Sequence, residues 1–341
     1  MAYKTGLIGW PLGHSVSPAM HNAAFAALGL DGCYDALPVA PENVESLVRS
    51  LPARGYRGVN VTIPHKQAVM PLMDDLSEAA RVIGAVNTII VRQFSKLSPQ
   101  GDPVEQFSKL SPLDDPVRQF SKLSPPSLVE SDAGRNLENR VTKPDAGDNL
   151  ENCLTILHGD NTDWLGFLYP LDAREFDLAG RHALLLGAGG SARAVVYALA
   201  QRGVASLSIW NRSPQRATEL ARHAALHFPT LSINQLTHSP LTIDAVSPDL
   251  IVNTTPIGMW PNADASPWPA GLAFPPGALV YDLVYRPEET LFLRQAAAAG
   301  CATQGGLEML VAQGAASFKL WTGQPPPLDV MINAARAALA A

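Results

Sequence analysis

Apolar residues along this chain fall in short runs, and the runs follow two spacings. TGLIG (from Thr5), YDALPV (from Tyr34), GVNVT (from Gly58) and AVNTIIV (from Ala85) are brief and rich in β-branched residues, the pattern of strands. Between them stand SPAMHNAAFAALGL, PENVESLVRSL and IPHKQAVMPLMDDL, which read as helices. The first has Ser17 as N-cap, Pro18 at the first helical position and Gly29 as its stop. The third opens at Pro64, which puts Lys66 in its first turn. This βαβ rhythm predicts an α/β fold with a mostly parallel sheet covered by helices.

The same alternation resumes after Cys153. LTIL, SLSIWNR, DLIVNTT and ALVYDLVY read as strands, and RHALLLGAGGSARAVVYALAQRG reads as strand, glycine-rich turn and helix. GDNTDWLGF reads as a loop entering a helix, and helical patterns cover PQRATELARHAA, TLFLRQAAAAG, GLEMLVAQGAASFKLWTG and LDVMINAARAALA. This half is predicted to be doubly wound.

A repeat separates the two stretches. QFSKLSP begins at Gln93, Gln106 and Gln119, and the period of 13 continues in DAGRNLEN from Asp132 and DAGDNLEN from Asp145. Solenoid units usually need roughly 20 or more residues to bury a face. These units are short and rich in Pro, Ser, Asp and Gly. The expectation is a disordered insertion over 93–152, and a partner-binding arm is the alternative.

Of the 341 residues, 47% are apolar and the formal charge is −6. A sizeable core is expected, and a general nucleic-acid-binding surface is not. Cys33, Cys153 and Cys301 stand far apart with no CxxC pair, so neither a disulfide framework nor a metal site is expected. The N-terminal segment lacks a signal peptide's apolar core, and no run is long enough to span a bilayer. The expectation is a cytoplasmic protein with no membrane partner.

LLLGAGGSARA joins a strand to a helix through a glycine-rich turn. Gly187, Gly189 and Ala192 occupy the G-x-G-x-x-G/A positions, with Ala188, Gly190 and Ser191 between them. Small residues let backbone approach a pyrophosphate, and the helix N-terminus favours its charge. At the end of the following strand, NAD binding usually wants a carboxylate for the ribose hydroxyls. Here Asn211, Arg212, Ser213 and Arg216 supply short polar groups and two cations. That chemistry suits a 2′-phosphate, so NADP(H) is the expected cofactor.

Three further stretches carry polar chemistry. GHSVSPAM puts Ser15 and Ser17 at a helix entrance, where hydroxyls and free N–H groups suit a carboxylate. Alone, Ser17 is simply an N-cap. NVTIPHK offers Asn60, Thr62 and Lys66, AVNT offers Asn87, and GDNTD offers Asn161 and Asp163. A lysine beside a carboxylate can carry a proton to or from an alcohol.

These stretches, with VNTTPIGM, YDLVY and GGLEMLVAQGAASFKLW, resemble the shikimate dehydrogenase family, in order and over nearly everything except the repeat. The resemblance implies an α/β fold of two domains, one for substrate and one of Rossmann type for NADP. It places the substrate domain at 1–162 with 307–341, and the NADP domain at 163–306. It implies that AVNTIIV and LTIL form a hairpin whose tip carries the repeat. It also implies reversible reduction of 3-dehydroshikimate to shikimate by NADPH, a step towards chorismate and the aromatic amino acids.

Carried over, Lys66 and Asp163 are the catalytic pair, and Ser15 and Ser17 hold the substrate carboxylate. Asn60, Thr62, Asn87 and Gln313 bind ring hydroxyls, Tyr285 reaches the substrate, and Met259 and Gly306 lie near the nicotinamide. A monomer or homodimer is implied. The rivals are a dual quinate/shikimate dehydrogenase, which Arg212 and Arg216 speak against, and a catalytically silent sensor, which Lys66 and Asp163 speak against.

Overall fold

In the computed structural model the described residues are 2–13, 15–95, 153–236 and 247–340. Most of the period-13 tract, and with it the expectation of disorder, lies outside them. The tract's first residues do not: the strand β5 runs Thr88–Ser95. Residues 93–95, expected in the insertion, belong to this strand instead.

The first half builds on β1 (Tyr3–Gly9), β2 (Gly32–Pro38), β3 (Tyr56–Val61), β4 (Asp75–Leu76), β5 and β6 (Cys153–Asp160). Their order in the sheet is β2-β1-β3-β5-β6-β4. The prediction of a mostly parallel sheet holds only for part of it. β1 runs parallel to β2 and β3, whereas β5 runs antiparallel to β3 and to β6. β5 and β6 pair without a break from Thr88↔Asp160 to Ser95↔Cys153, which two adjacent antiparallel strands do by direct return.

Both faces of this sheet are covered. Ile89 and Val91 enter one core with Val48 of α2 (Val44–Ser50), while Ile90 enters the other with Met20 of α1 (Ser17–Ala27). Alternate side chains of a strand point to opposite faces, so a doubly covered strand reads as one continuous apolar run.

The second half holds β7 (His182–Leu186), β8 (Ser206–Trp210), β9 (Ser232–Leu236), β10 (Leu250–Asn253), β11 (Leu279–Asp282) and β12 (Ala302–Gln304). The order β12-β11-β10-β7-β8-β9 is parallel throughout. Chain order reverses between β7 and β10, where open α/β sheets bind their ligands.

Alongside the short α3 (Glu78–Ile83), the larger helices are α4 (Asp163–Ala173), α5 (Gly190–Gln201), α6 (Pro214–His227), α7 (Leu291–Ala298), α8 (Leu307–Thr322) and α9 (Leu328–Ala340). Phe167, Leu168 and Leu171 of α4 pack into the parallel sheet's core, as does Met309 of α8. The rest of α8 returns to the mixed sheet, where Val311, Phe318 and Trp321 join Met20 and Phe25.

Two local predictions are corrected. The helix expected from Pro64 is absent: residues 63–69 form turns, followed by a single 3-10 turn, Met70–Leu72. The backbone there bonds to its neighbours instead. Thr62 N donates to Ile8 O, Trp10 N to Ile63 O, and Val86 N to Lys66 O, at 2.8, 3.1 and 2.8 Å. Pro71 would also interrupt a helix at a cost of about 3 kcal/mol.

Ser17 is the first residue of α1 rather than its cap. The side chain serving that end is Ser15, whose Oγ accepts from Ser17 N at 3.3 Å. Gly29 ends the helix at φ +61°, a conformation that favours glycine.

Missed from the sequence were α3, β4, β9 and β12. Helix α3 had legible ends: Ser77 Oγ accepts from Ala80 N, and Gly84 stops it in the left-handed region. The strands are too short to show a period.

Candidate active site

A cleft of about 930 Å³ lies between the halves, large enough for a cofactor-sized ligand. One wall is Ile63, Pro64, Lys66 and Gln67. The other is the turn Gly187–Ser191, the ends of β8 and β10, and the loop about Ser266–Pro269.

The turn is shaped for close backbone approach. Gly187 has φ +112°, and a Cβ there would stand 2.5 Å from Thr254 Oγ1. Thr254 in turn bonds Leu186 O through both N and Oγ1, at 2.9 Å each. That joins β7 to β10 at the reversal of strand order. A Cβ on Gly189 would meet nothing within 4 Å. Among the described residues no side chain caps the start of α5, so its first N–H groups fit a pyrophosphate. Ala192 is wholly buried, the close packing expected at the third small position.

Asn211, Arg212 and Arg216 line the same cleft. Both arginines are exposed, and neither has an ion-pair partner among the described residues. Asn211 Nδ2 is tied back to Ser213 O at 2.8 Å. This donor set fits the phosphate of NADP. Arg193, unforeseen from the sequence, also lines the cleft, and burial lowers its pKa against the opposing influence of Glu219. Ser213, Met259 and Gly306 are not in the cleft walls. Met259 is exposed on the loop after β10, and Gly306 packs so closely that a Cβ would meet Leu283 O at 2.2 Å.

Across the cleft Lys66 Nζ donates to Asp163 Oδ2 at 2.5 Å, both side chains being largely buried. Lys66 Cδ is 3.9 Å from where Gly190 would carry a Cβ, so the pair adjoins the glycine-rich turn. Lys66, expected in the first turn of a helix, lies instead among the turns of residues 63–69. The helix start belongs to Asp163. It is the first residue of α4, whose positive end stabilises a carboxylate.

Asn87 Nδ2 donates to Asp163 Oδ1 at 2.7 Å and to Gln313 Oε1 at 3.2 Å. Asn161 plays a supporting part: its Oδ1 accepts from Asp163 N at 3.1 Å and its Nδ2 donates to Ala85 O. The structure thus brings Lys66, Asn87, Asp163 and Gln313 together. Asn60 joins them through Thr88 and Ser317. Ser15 and Ser17 stand at the entrance of α1. Thr62 closes β3, half-buried, with no side-chain bond of its own among the described residues.

Tyr285 packs against the core that contains Val16 and Met20, and burial raises its pKa. Sequence reasoning missed Tyr34, Thr88, Thr162 and Ser317, which lie beneath this cluster. Tyr34 Oη donates to Asn60 Oδ1 at 2.8 Å. Buried hydroxyls on strands and helices carry no local signature. Among the described residues no group of three or more metal-binding side chains occurs, and no helix is long and apolar enough to cross a membrane.

Comparison with known proteins gives three family matches. Residues 7–89 match the shikimate dehydrogenase substrate binding domain, 171–251 the shikimate/quinate 5-dehydrogenase family, and 306–336 the shikimate 5′-dehydrogenase C-terminal domain. The curated shikimate dehydrogenase (NADP(+)) of Moorella thermoacetica is 39% identical over 336 residues, 98% of this chain and 93% of that protein. That of Symbiobacterium thermophilum is 39% identical over 338 residues, 98% of this chain and 94% of its own. The crystal structure of shikimate 5-dehydrogenase from Thermus thermophilus, in complex with NADP(H) and shikimate, matches with a TM-score of 0.71 at 34% identity. That match covers 98% of this chain and 99% of the other. Glycine-rich turn, paired lysine and aspartate, and matches at both ends agree: this chain belongs to the shikimate dehydrogenase family.

Proposed function

We propose that the protein is an NADP-dependent shikimate dehydrogenase, interconverting shikimate and 3-dehydroshikimate. The observation that carries this reading is the Lys66–Asp163 pair set against the glycine-rich turn, with Arg212 and Arg216 lining the same cleft. The residue roles are assigned on that basis. Lys66 and Asp163 are the catalytic pair. Asn60, Thr62, Asn87 and Gln313 bind ring hydroxyls, and Ser15, Ser17 and Tyr285 bind the carboxylate end. Gly187–Ala192 cradle the pyrophosphate, and Asn211, Arg212 and Arg216 take the adenosine phosphate; Ser213 beside that phosphate, and Met259 and Gly306 beside the nicotinamide, lie outside the cleft walls and rest on the family resemblance alone.

When bound, the nicotinamide supplies the hydride acceptor or donor. Lys66 moves the proton: as the neutral amine it takes one from the ring hydroxyl when the alcohol is oxidised, and as the ammonium it returns that proton to the carbonyl oxygen in reduction. Asp163 orients the ammonium group, and Asn87 orients Asp163. Closure of the cleft excludes water and aligns the two ligands.

The division 1–162 with 307–341 and 163–306 is the domain assignment we adopt, since α4 and α8 are the segments that pass from one sheet to the other. We place the enzyme in the cytoplasm, as a monomer or homodimer. The test is NADPH formation from shikimate and NADP⁺ by the purified protein. Absence of turnover would reject the reading.

A further inference from the structure

A line of buried hydrogen bonds runs from Asp163 to Tyr34, and its direction can be worked out. Thr162 N donates to Asn87 Oδ1 at 2.7 Å. A backbone N–H only donates, so this bond fixes which end of the Asn87 amide is oxygen. The nitrogen end is left for Asp163 Oδ1.

Asn60 is fixed in the same way. Its Nδ2 donates to the Asn87 backbone O at 3.2 Å and to Ser317 Oγ at 2.8 Å. A carbonyl only accepts, so Asn60 Oδ1 is the atom facing Tyr34. Tyr34 must donate to it, and the Ser17 hydroxyl is the other neighbour of the phenol oxygen.

Ser317 is the junction of this line. It is wholly buried on α8. Besides accepting from Asn60, its Oγ lies 2.8 Å from Thr88 Oγ1 and 3.1 Å from Thr162 Oγ1. Thr88 Oγ1 donates to Asn87 Oδ1 at 2.9 Å. One hydroxyl therefore ties together β3, β5, the entry to α4, and α8. Bonds of this kind strengthen one another in a low-dielectric interior.

We propose that Ser317 and Tyr34 are positioning residues for the reaction: they hold the Asn60 amide at its nitrogen and its oxygen end, and Ser317 reaches Asn87 through Thr88 and Thr162. Both Asn60 Nδ2 hydrogens are used inside the protein. Asn60 therefore presents only an acceptor, Oδ1, to the substrate, and selects a ring hydroxyl that donates. The same line keeps the Asn87 amide on Asp163. This inference rests on the reading that Asn60 and Asn87 face the substrate.

The experiment compares Ser317→Ala, Tyr34→Phe and the double variant with the parent enzyme. Each single change is expected to lower kcat/KM for shikimate by roughly tenfold, the scale of one buried hydrogen bond left half-made. Both act through Asn60, so the double variant is expected near twentyfold rather than near a hundredfold, each about these values. KM for NADP⁺ is expected within about twofold of the parent in all three, which a general loosening of the fold would not give. Single variants with parental kcat/KM overturn the proposal, and so do effects that simply multiply. If Ser317→Ala does not fold, Tyr34→Phe, which removes one oxygen atom, decides the matter alone. A parent enzyme inert towards shikimate would reject the reaction itself, a result distinct from either.

Discussion

Where it faces the cleft, the parallel sheet offers chiefly the backbone of its glycine-rich turn, with Asn211, Arg212 and Arg216 beside it, while the mixed sheet offers side chains. At the end of β7 the working parts are a positive-φ glycine, a glycine with open space above it, and the N–H groups of α5. They are adjacent in sequence. Beside β3 and β5 the candidate parts are Asn60, Lys66, Asn87, Asp163 and Gln313, spread over nearly the whole chain and linked by hydrogen bonds, those of Asn60 through Ser317 and Thr88. A polyphosphate needs many equivalent donors, which one turn and one helix end supply. A ring with several hydroxyls needs donors and acceptors at distinct points, and only folding assembles them.

The two halves also carry buried titratable groups of opposite sign. Burial lowers the pKa of His21, beside the mixed sheet, to about 3, and neither ring nitrogen has a partner among the described residues. Burial raises that of Asp282, on β11, to about 6, against hydrogen bonds from Thr290, Val284 N and Asn253.

If this contrast is right, changes in the mixed-sheet half strike turnover and changes in the parallel-sheet half strike cofactor affinity. The largest effect is expected from Lys66→Ala: turnover falls by roughly 10³-fold, while NADP⁺ affinity, followed by fluorescence titration, stays near the parent value. Asp163→Asn keeps the shape but loses the charge, and is expected to cost about 10²-fold in kcat. Replacing Arg212 and Arg216 together by alanine is expected to raise KM for NADP⁺ by roughly 10- to 100-fold. It should leave NAD⁺ kinetics and kcat little changed.

The titratable groups give a smaller, pH-dependent contrast. His21 binds its proton more weakly folded than unfolded. Stability is therefore lost as pH falls from about 6.5 towards 3, by roughly 1.4 kcal/mol per pH unit. Asp282 binds its proton more tightly when folded. Its contribution is present at low pH and is lost as pH rises from about 4 to 6, with the same slope. The two oppose each other in that window. Urea unfolding of His21→Leu at a series of pH values should show the acid loss removed, and Asp282→Asn should show the opposite loss removed.

The smallest effect is expected from deleting residues 96–152 and joining β5 to β6 by a short turn. Their ladder is complete from Thr88↔Asp160 to Ser95↔Cys153, and loop-closure entropy changes only with the logarithm of length. Activity within about twofold of the parent is expected, and a larger fall would give the tract a part in the reaction.

How much of this was legible in the sequence follows the same divide. Gly187 to Ser191 and Arg212 could be read directly, because a strand–turn–helix motif is local and its chemistry is contiguous. Lys66 and Asp163 could be paired only through a resemblance, since nothing in their spacing joins them. The helix expected from Pro64 failed because its backbone groups bond to β1 and to Val86, partners that a local pattern does not show. Tyr34, Thr88, Thr162 and Ser317 were invisible for a related reason. Each looks like an ordinary residue of a strand, loop or helix until its neighbours are in place.

The most direct test of the whole account is the initial rate of the purified protein with shikimate and with quinate, each paired with NADP⁺ and with NAD⁺. The account predicts the highest kcat/KM for shikimate with NADP⁺, by about tenfold or more over every other pairing, because a hydroxyl-reading substrate site and two phosphate-facing arginines act together. Equal or faster turnover with quinate or with NAD⁺ would contradict it.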